Sequence, residues 1–125
     1  MLTKLTWLFL AGGSGALARY ALSGFVQKHA HENFPLGTLV VNLAGCCLFG
    51  FIWSLADDRL IISGETRFLI LTGFVGAFTT FSTFAFETSG LLQDSQWTLA
   101  AVNLLSHNIF GVLAVLLGIF LGRLF

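Results

Sequence analysis

Four apolar stretches, each long enough to cross a bilayer, leave this chain few folds to choose from. They cover residues 5–26, 36–56, 67–92 and 97–122. The second and fourth contain no charged residue, the first contains Arg19, and the third begins at Arg67 and carries Glu87. The connections, 27–35, 57–66 and 93–96, leave no room for a soluble domain between spans. Charged residues make up only 10% of the 125, against about 25% in a soluble domain. A backbone in lipid must satisfy its own hydrogen bonds, so spans of this length are helices. The expectation is one all-α integral membrane domain over 1–125, with four transmembrane helices. A net charge of zero supplies no basic surface for nucleic acid.

The first stretch imitates a signal peptide: Lys4, an apolar run, then small residues from Ala11 to Ala16. The apolar pattern resumes past Arg19 and the remainder is equally hydrophobic, so it reads as a span. Ala11, Gly12, Gly13, Ser14, Gly15, Ala16 and Ala18 let helices approach closely, as does Gly118-x-x-x-Gly122 in the fourth stretch. Cys46 and Cys47 are adjacent inside an apolar run and read as small fillers rather than a disulfide or metal pair. Lys4, Arg59, Arg67 and Arg123 fall on one side of the membrane, against Lys28 and a snorkelling Arg19 on the other. That is a modest bias towards cytoplasmic termini, compatible with a mixed orientation.

The third stretch is the unusual one. Residues 73–84 read Gly-Phe-Val-Gly-Ala-Phe-Thr-Thr-Phe-Ser-Thr-Phe. Glycines at 73 and 76 and hydroxyls at Thr79, Thr80, Ser82 and Thr83 disfavour an uninterrupted helix. A helix broken mid-membrane is expected here, buried in protein or facing water rather than lipid. Four helices enclose little interior, so polar residues in the spans point to a homo-oligomer with a path between subunits.

Several residues are candidates for that path. Arg19 either snorkels to the interface or makes an electropositive vestibule for anions, with Tyr20 at the interfacial level. Asn42 is an amide in an apolar helix, either bonding between helices or donating to a passing anion. Phe81 and Phe84 share a helical face; they are packing residues or present positive ring edges to a small anion. Glu87, the acid well inside the apolar pattern, is expected to reach a pore mouth or an interface. Asn103 and His107, four apart, suggest hydrogen bonding between helices. His29 and His31 lie in a connection, too isolated for a metal site. No nucleophile–base pair, metal-ligand cluster or phosphate loop appears, so the chain does not read as an enzyme.

Residues 12–20, Gly-Gly-Ser-Gly-Ala-Leu-Ala-Arg-Tyr, residues 37–45, Gly-Thr-Leu-Val-Val-Asn-Leu-Ala-Gly, and residues 73–84 occur in an order and spacing that resemble the small bacterial fluoride channels, the Fluc or CrcB family. The resemblance covers essentially the whole chain. It implies passive fluoride export across the bacterial cytoplasmic (inner) membrane by an antiparallel, dual-topology homodimer with two pores. It also implies that Phe81 and Phe84 are the pore-lining pair, one for each pore. Asn42 is similar to the pore-lining amide, Arg19 to the vestibule arginine, Ser82 and Thr83 to the hydroxyls at the break, and Glu87 to the acid beyond. His107 stands at the head of the family's helix-four track. Gly76 and Thr79 match the positions whose backbone carbonyls hold a structural sodium ion on the dimer axis. The chain departs from the family in the track below His107, where Gly111 and Val115 offer no side-chain donor.

Two other readings compete. A small multidrug-resistance-type transporter is also a dual-topology four-helix dimer, but it needs a carboxylate in its first span, where this chain has Arg19. A purely structural membrane protein leaves Asn42 and the third stretch unexplained.

Overall fold

The computed structural model describes residues 2–30, 33–58 and 60–125; His31 and Arg59 lie outside them. Among the described residues every regular element is helical and there is no strand. Helix α1 is Leu2–Lys28 and α2 is Leu36–Asp57. A continuous helical run follows: α3 (Gly64–Phe68), a π-helical segment (Leu69–Val75) and α4 (Gly76–Phe78). Then come α5 (Phe81–Gln93) and α6 (Trp97–Gly122).

The ends have local causes. The Gln27 amide donates to the Phe34 carbonyl (3.0 Å) and accepts from the Gly37 N–H (3.0 Å). One side chain thus closes the α1–α2 connection and satisfies one of the free N–H groups at the start of α2. Ser63 caps α3, accepting from the Thr66 N–H, with Glu65 in the first turn where a negative charge is favoured. Ser95, at φ 58°, closes the turn between α5 and α6.

Small residues set the packing. A Cβ on Gly118 would lie 2.0 Å from the Cys47 carbonyl oxygen, so α6 meets α2 backbone to backbone. Gly15 plays the same part between α1 and the π segment, where a Cβ would lie 2.2 Å from the Phe74 carbonyl oxygen. Gly118→Ala must therefore move one backbone off another, and a destabilisation of about 1–3 kcal/mol is expected, as for overpacked cores. Gly111→Ala, buried on the same helix but with its nearest neighbour, Cys46 Sγ, at 3.9 Å, is expected to be neutral. Thermal unfolding of the two variants in detergent checks this; equal midpoints would refute the backbone contact.

Arg67 stacks over Trp53 and pairs with Asp57, Arg123 pairs with Asp58, and Lys4 sits over the Phe68 ring. The start of α1, the end of α2, α3 and the end of α6 therefore share one end of the bundle. The outer face of α6 leaves Val112, Leu113, Leu116 and Phe120 more than half exposed, an apolar surface suited to lipid or a partner.

Three helical runs are long and apolar enough to cross a membrane: Leu36–Asp57, Gly64–Gln93 and Trp97–Gly122. Four had been expected. Helix α1 has the length but not the hydropathy, because Gly12, Gly13, Ser14, Gly15 and Arg19 dilute it.

Candidate functional site

The glycines of the third stretch do not interrupt the helix. Gly73 and Gly76 have helical backbones, and Gly73 instead fits against α1, where a Cβ would lie 2.8 Å from Ala11 Cβ. Helical geometry stops at Phe78; Thr79 (φ −84°, ψ 158°) and Thr80 (φ −149°, ψ 112°) are extended, and α5 begins at Phe81.

Asn42 answers that extended backbone. Its Oδ1 accepts from the Thr80 N–H (2.8 Å) and its Nδ2 donates to the Thr80 carbonyl (3.0 Å). Thr80 is buried, so without this pairing two backbone groups would be left unsatisfied. The second amide hydrogen of Nδ2 is not used in these bonds. Gly45, a turn further along α2, makes the space: a Cβ there would lie 2.1 Å from Thr79 Cγ2. Of the two sequence readings of Asn42, bonding between helices is realised directly.

The hydroxyls are largely occupied with one another. Thr80 Oγ1 caps α5 by accepting from the Thr83 N–H (3.1 Å) and donates to Thr83 Oγ1 (2.9 Å), with Ser82 Oγ at 3.3 Å. Thr79 Oγ1 donates back to the Val75 carbonyl (3.0 Å). With α4 ending at Phe78, the carbonyls of its last turn, Gly76 among them, have no succeeding helical N–H to accept from.

Phe81 and Phe84 meet edge to face, with centroids 5.5 Å apart and planes at 62°. Their environments differ sharply: Phe84 is 6% exposed and Phe81 78%. The Phe84 ring lies 4.2 Å from the His107 ring. His107 Nδ1 is 3.0 Å from the Asn103 carbonyl, a contact that places the hydrogen on Nδ1, and Nε2 is buried without a partner.

An open cleft of about 410 Å³ gathers Asn42, Thr79, Thr80, Phe81, Phe84 and His107. A second, of about 240 Å³, holds Arg19, Tyr20, Ser23, Thr38, Thr80 and Thr83. A third, of about 450 Å³, holds Glu87 with Ser23, Gln27, Thr38 and Asp94. Residues expected along one path are thus distributed over three clefts, joined through Thr80 and through Ser23 and Thr38. Ser82 and Gly76 line none of the three and are exposed.

Glu87, expected at a pore mouth or an interface, is half-buried on the third cleft. Thr38 Oγ1 donates to its Oε1 (2.7 Å), drawing it towards α2, and its Oε2 is buried without a partner. Asn103, fully buried, donates to Thr88 Oγ1 (2.9 Å), the interhelical bond expected of it. Below His107 the first cleft is walled by Cys46, Phe49 and Val115. Thr38 and Thr88 were not singled out from the sequence. Their signals were present: Thr38 is four residues before Asn42 and Thr88 four after Phe84, each on the same helical face. Among the described residues no three His, Cys, Asp or Glu side chains cluster as metal ligands.

A helical chain with apolar outer faces, and polar groups gathered where a helix stops and restarts, is a multi-pass membrane protein. The model of a family described as CrcB-like protein, Camphor Resistance (CrcB), matches residues 6–119, and the chain belongs to that family. Relatives named "Fluoride-specific ion channel FluC" agree with it along almost their whole length. The one from Nitrosococcus oceani is 59% identical over 118 residues, 94% of each chain. That from Desulforapulum autotrophicum is 50% identical over 121 residues, 97% of each, and that from Solidesulfovibrio magneticus 49% over 124 residues, 99% of each.

Proposed function

We propose that this protein is a fluoride channel that lets the anion leave the bacterial cytoplasm through the inner membrane. The observation that carries this reading is the gathering of Asn42, Phe81, Phe84 and His107 on one cleft, in a chain 59% identical to a protein named as a fluoride-specific channel. Fluoride enters as neutral HF, ionises inside and is trapped, because the anion cannot cross lipid. An inside-negative potential then drives it out with about 2.3 kcal/mol per charge per 100 mV, so no other energy source is needed.

The working unit in this reading is an antiparallel, dual-topology homodimer. Each subunit contributes four transmembrane helices, the third interrupted in mid-membrane at Thr79 and Thr80. The openness of all three clefts and the exposure of Phe81 support a second copy closing the path. Arg19 attracts the anion to the vestibule. Asn42, Ser82 and Thr83 supply donors, the edges of Phe81 and Phe84 hold the ion weakly enough for it to leave, and His107 and Glu87 lie further along.

The chemistry of the α4 terminus fits a hard monovalent cation: neutral carbonyl oxygens at Gly76 and Thr79, with Gly76 exposed and without a side chain in the way. Those carbonyls would hold a sodium ion between the subunits, where it fastens one interrupted helix to the other. A structure of the dimer with Gly76 and Thr79 far from the axis would refute this.

The test is efflux from liposomes loaded with potassium fluoride, with valinomycin carrying the counter-ion and no proton gradient. Rapid release is expected. No release overturns the function and leaves the cation exchange of a small multidrug-resistance-type transporter as the reading to test, and release only under a proton gradient points instead to proton-coupled exchange. A tandem fusion joined by an inverting linker helix should also conduct; activity confined to parallel fusions overturns the antiparallel arrangement.

A further inference from the structure

Asn103 and Thr88 have no part in the anion path described above, yet they are buried together between α5 and α6. Asn103 has no exposed surface at all. An amide at such a place is costly unless paired, and an apolar residue would fill the space at less cost. One bond from this amide and two to backbone carbonyls close a circuit. Thr88 Oγ1 donates to the Phe84 carbonyl (2.8 Å) and accepts from Asn103 Nδ2 (2.9 Å). The Asn103 backbone carbonyl accepts from His107 Nδ1 (3.0 Å), its side-chain Oδ1 is buried without a partner, and the His107 ring lies against the Phe84 ring at 4.2 Å. Each of the four residues touches the next, two on α5 and two on α6.

We propose that Thr88 and Asn103 are positioning residues of the channel, holding the Phe84 ring and the His107 imidazole as one unit across the α5–α6 seam. The proposal rests on the reading of Phe84 and His107 as walls of the anion path. The α5–α6 contact is narrow compared with the glycine-lined α2–α6 seam, so helix packing alone leaves the rotation of α5 loosely set. A directional bond at Thr88, one turn from Phe84, removes that freedom, which a contact of apolar side chains does not do.

The experiment measures fluoride efflux and thermal unfolding on the same purified dimers. Thr88→Val keeps the shape and removes the hydroxyl; efflux is expected to fall about tenfold, the equivalent of one buried hydrogen bond falling on the occupied state. Thr88→Ser, which keeps the hydroxyl, restores most of it. Thr88→Val with Asn103→Leu removes both partners, so unfolding returns towards wild type while efflux stays low. Wild-type efflux from Thr88→Val, or recovery of both properties in the double variant, overturns the proposal. So does failure of both apolar variants to assemble while Thr88→Ser behaves normally, because the pair then serves stability alone. Phe84→Ile is measured alongside: if it conducts as wild type, the underlying site reading fails, independently of Thr88.

Discussion

Phe81→Ile is expected to abolish most fluoride flux while leaving the subunit fold unchanged. Phe81 is 78% exposed on the subunit, so the substitution removes little intramolecular packing beyond its edge contact with Phe84. It does remove a polarised ring edge, the feature that lets an aromatic face a compact anion without binding it too tightly. Phe84→Ile should lose flux as well, but with a stability cost, because Phe84 is 6% exposed and packs on both Phe81 and His107. Replacing an aromatic ring in such contacts costs about 0.5–1.5 kcal/mol beyond the area lost. The double variant should conduct less than either single one, as expected if the pair serves two paths in a dimer. Size-exclusion chromatography separates loss of conduction from loss of assembly. Near wild-type flux from a well-assembled double variant would return both residues to ordinary packing.

The second large effect is expected at Asn42. Asn42→Leu leaves the N–H and carbonyl of buried Thr80 unpaired, and each such group costs about 1–3 kcal/mol. The expected result is a strongly destabilised protein and no measurable flux, read by thermal unfolding in detergent and by liposome efflux. Asn42→Asp keeps the acceptor for the Thr80 N–H but opposes a carboxylate to the Thr80 carbonyl. It should fold better than the leucine variant and still fail to conduct, because it presents negative charge where an anion must pass. A leucine variant as stable as wild type would show that the Asn42–Thr80 pairing does not hold the interruption in place.

Much of the helical plan was legible because apolar runs bounded by the connections 27–35, 57–66 and 93–96 leave few alternatives. The site was legible by residue type but not by partner. Asn42 stood out as an expensive amide, yet nothing local says that it pairs with a peptide 38 positions away. Glycines and hydroxyls marked the neighbourhood of the interruption. Its position at Thr79 and Thr80 depends on tertiary contacts, namely the space at Gly45 and the bonds from Asn42. The partner of Glu87 was not legible, because its distance along the chain says nothing about Thr38, which approaches from α2.

No residue in the Leu69–Val75 segment announces wide turns, yet the segment has a use as slack. It carries one contact that tolerates no adjustment, Phe74 against Gly15 of α1, and ends four residues before another, Thr79 against Gly45 of α2. A regular helix of rigid pitch would meet both only if the spacing of α1 and α2 happened to match it. A widened turn accommodates an extra residue without rotating what lies on either side. The length of the connection after α2 is thereby uncoupled from the pairing at Thr80. A residue inserted in the stretch 69–72 would be taken up by the wide turns before the close contacts at Gly73 and Phe74 begin, whereas one inserted in α2 ahead of Asn42 would turn Asn42 away from its partner by about a hundred degrees.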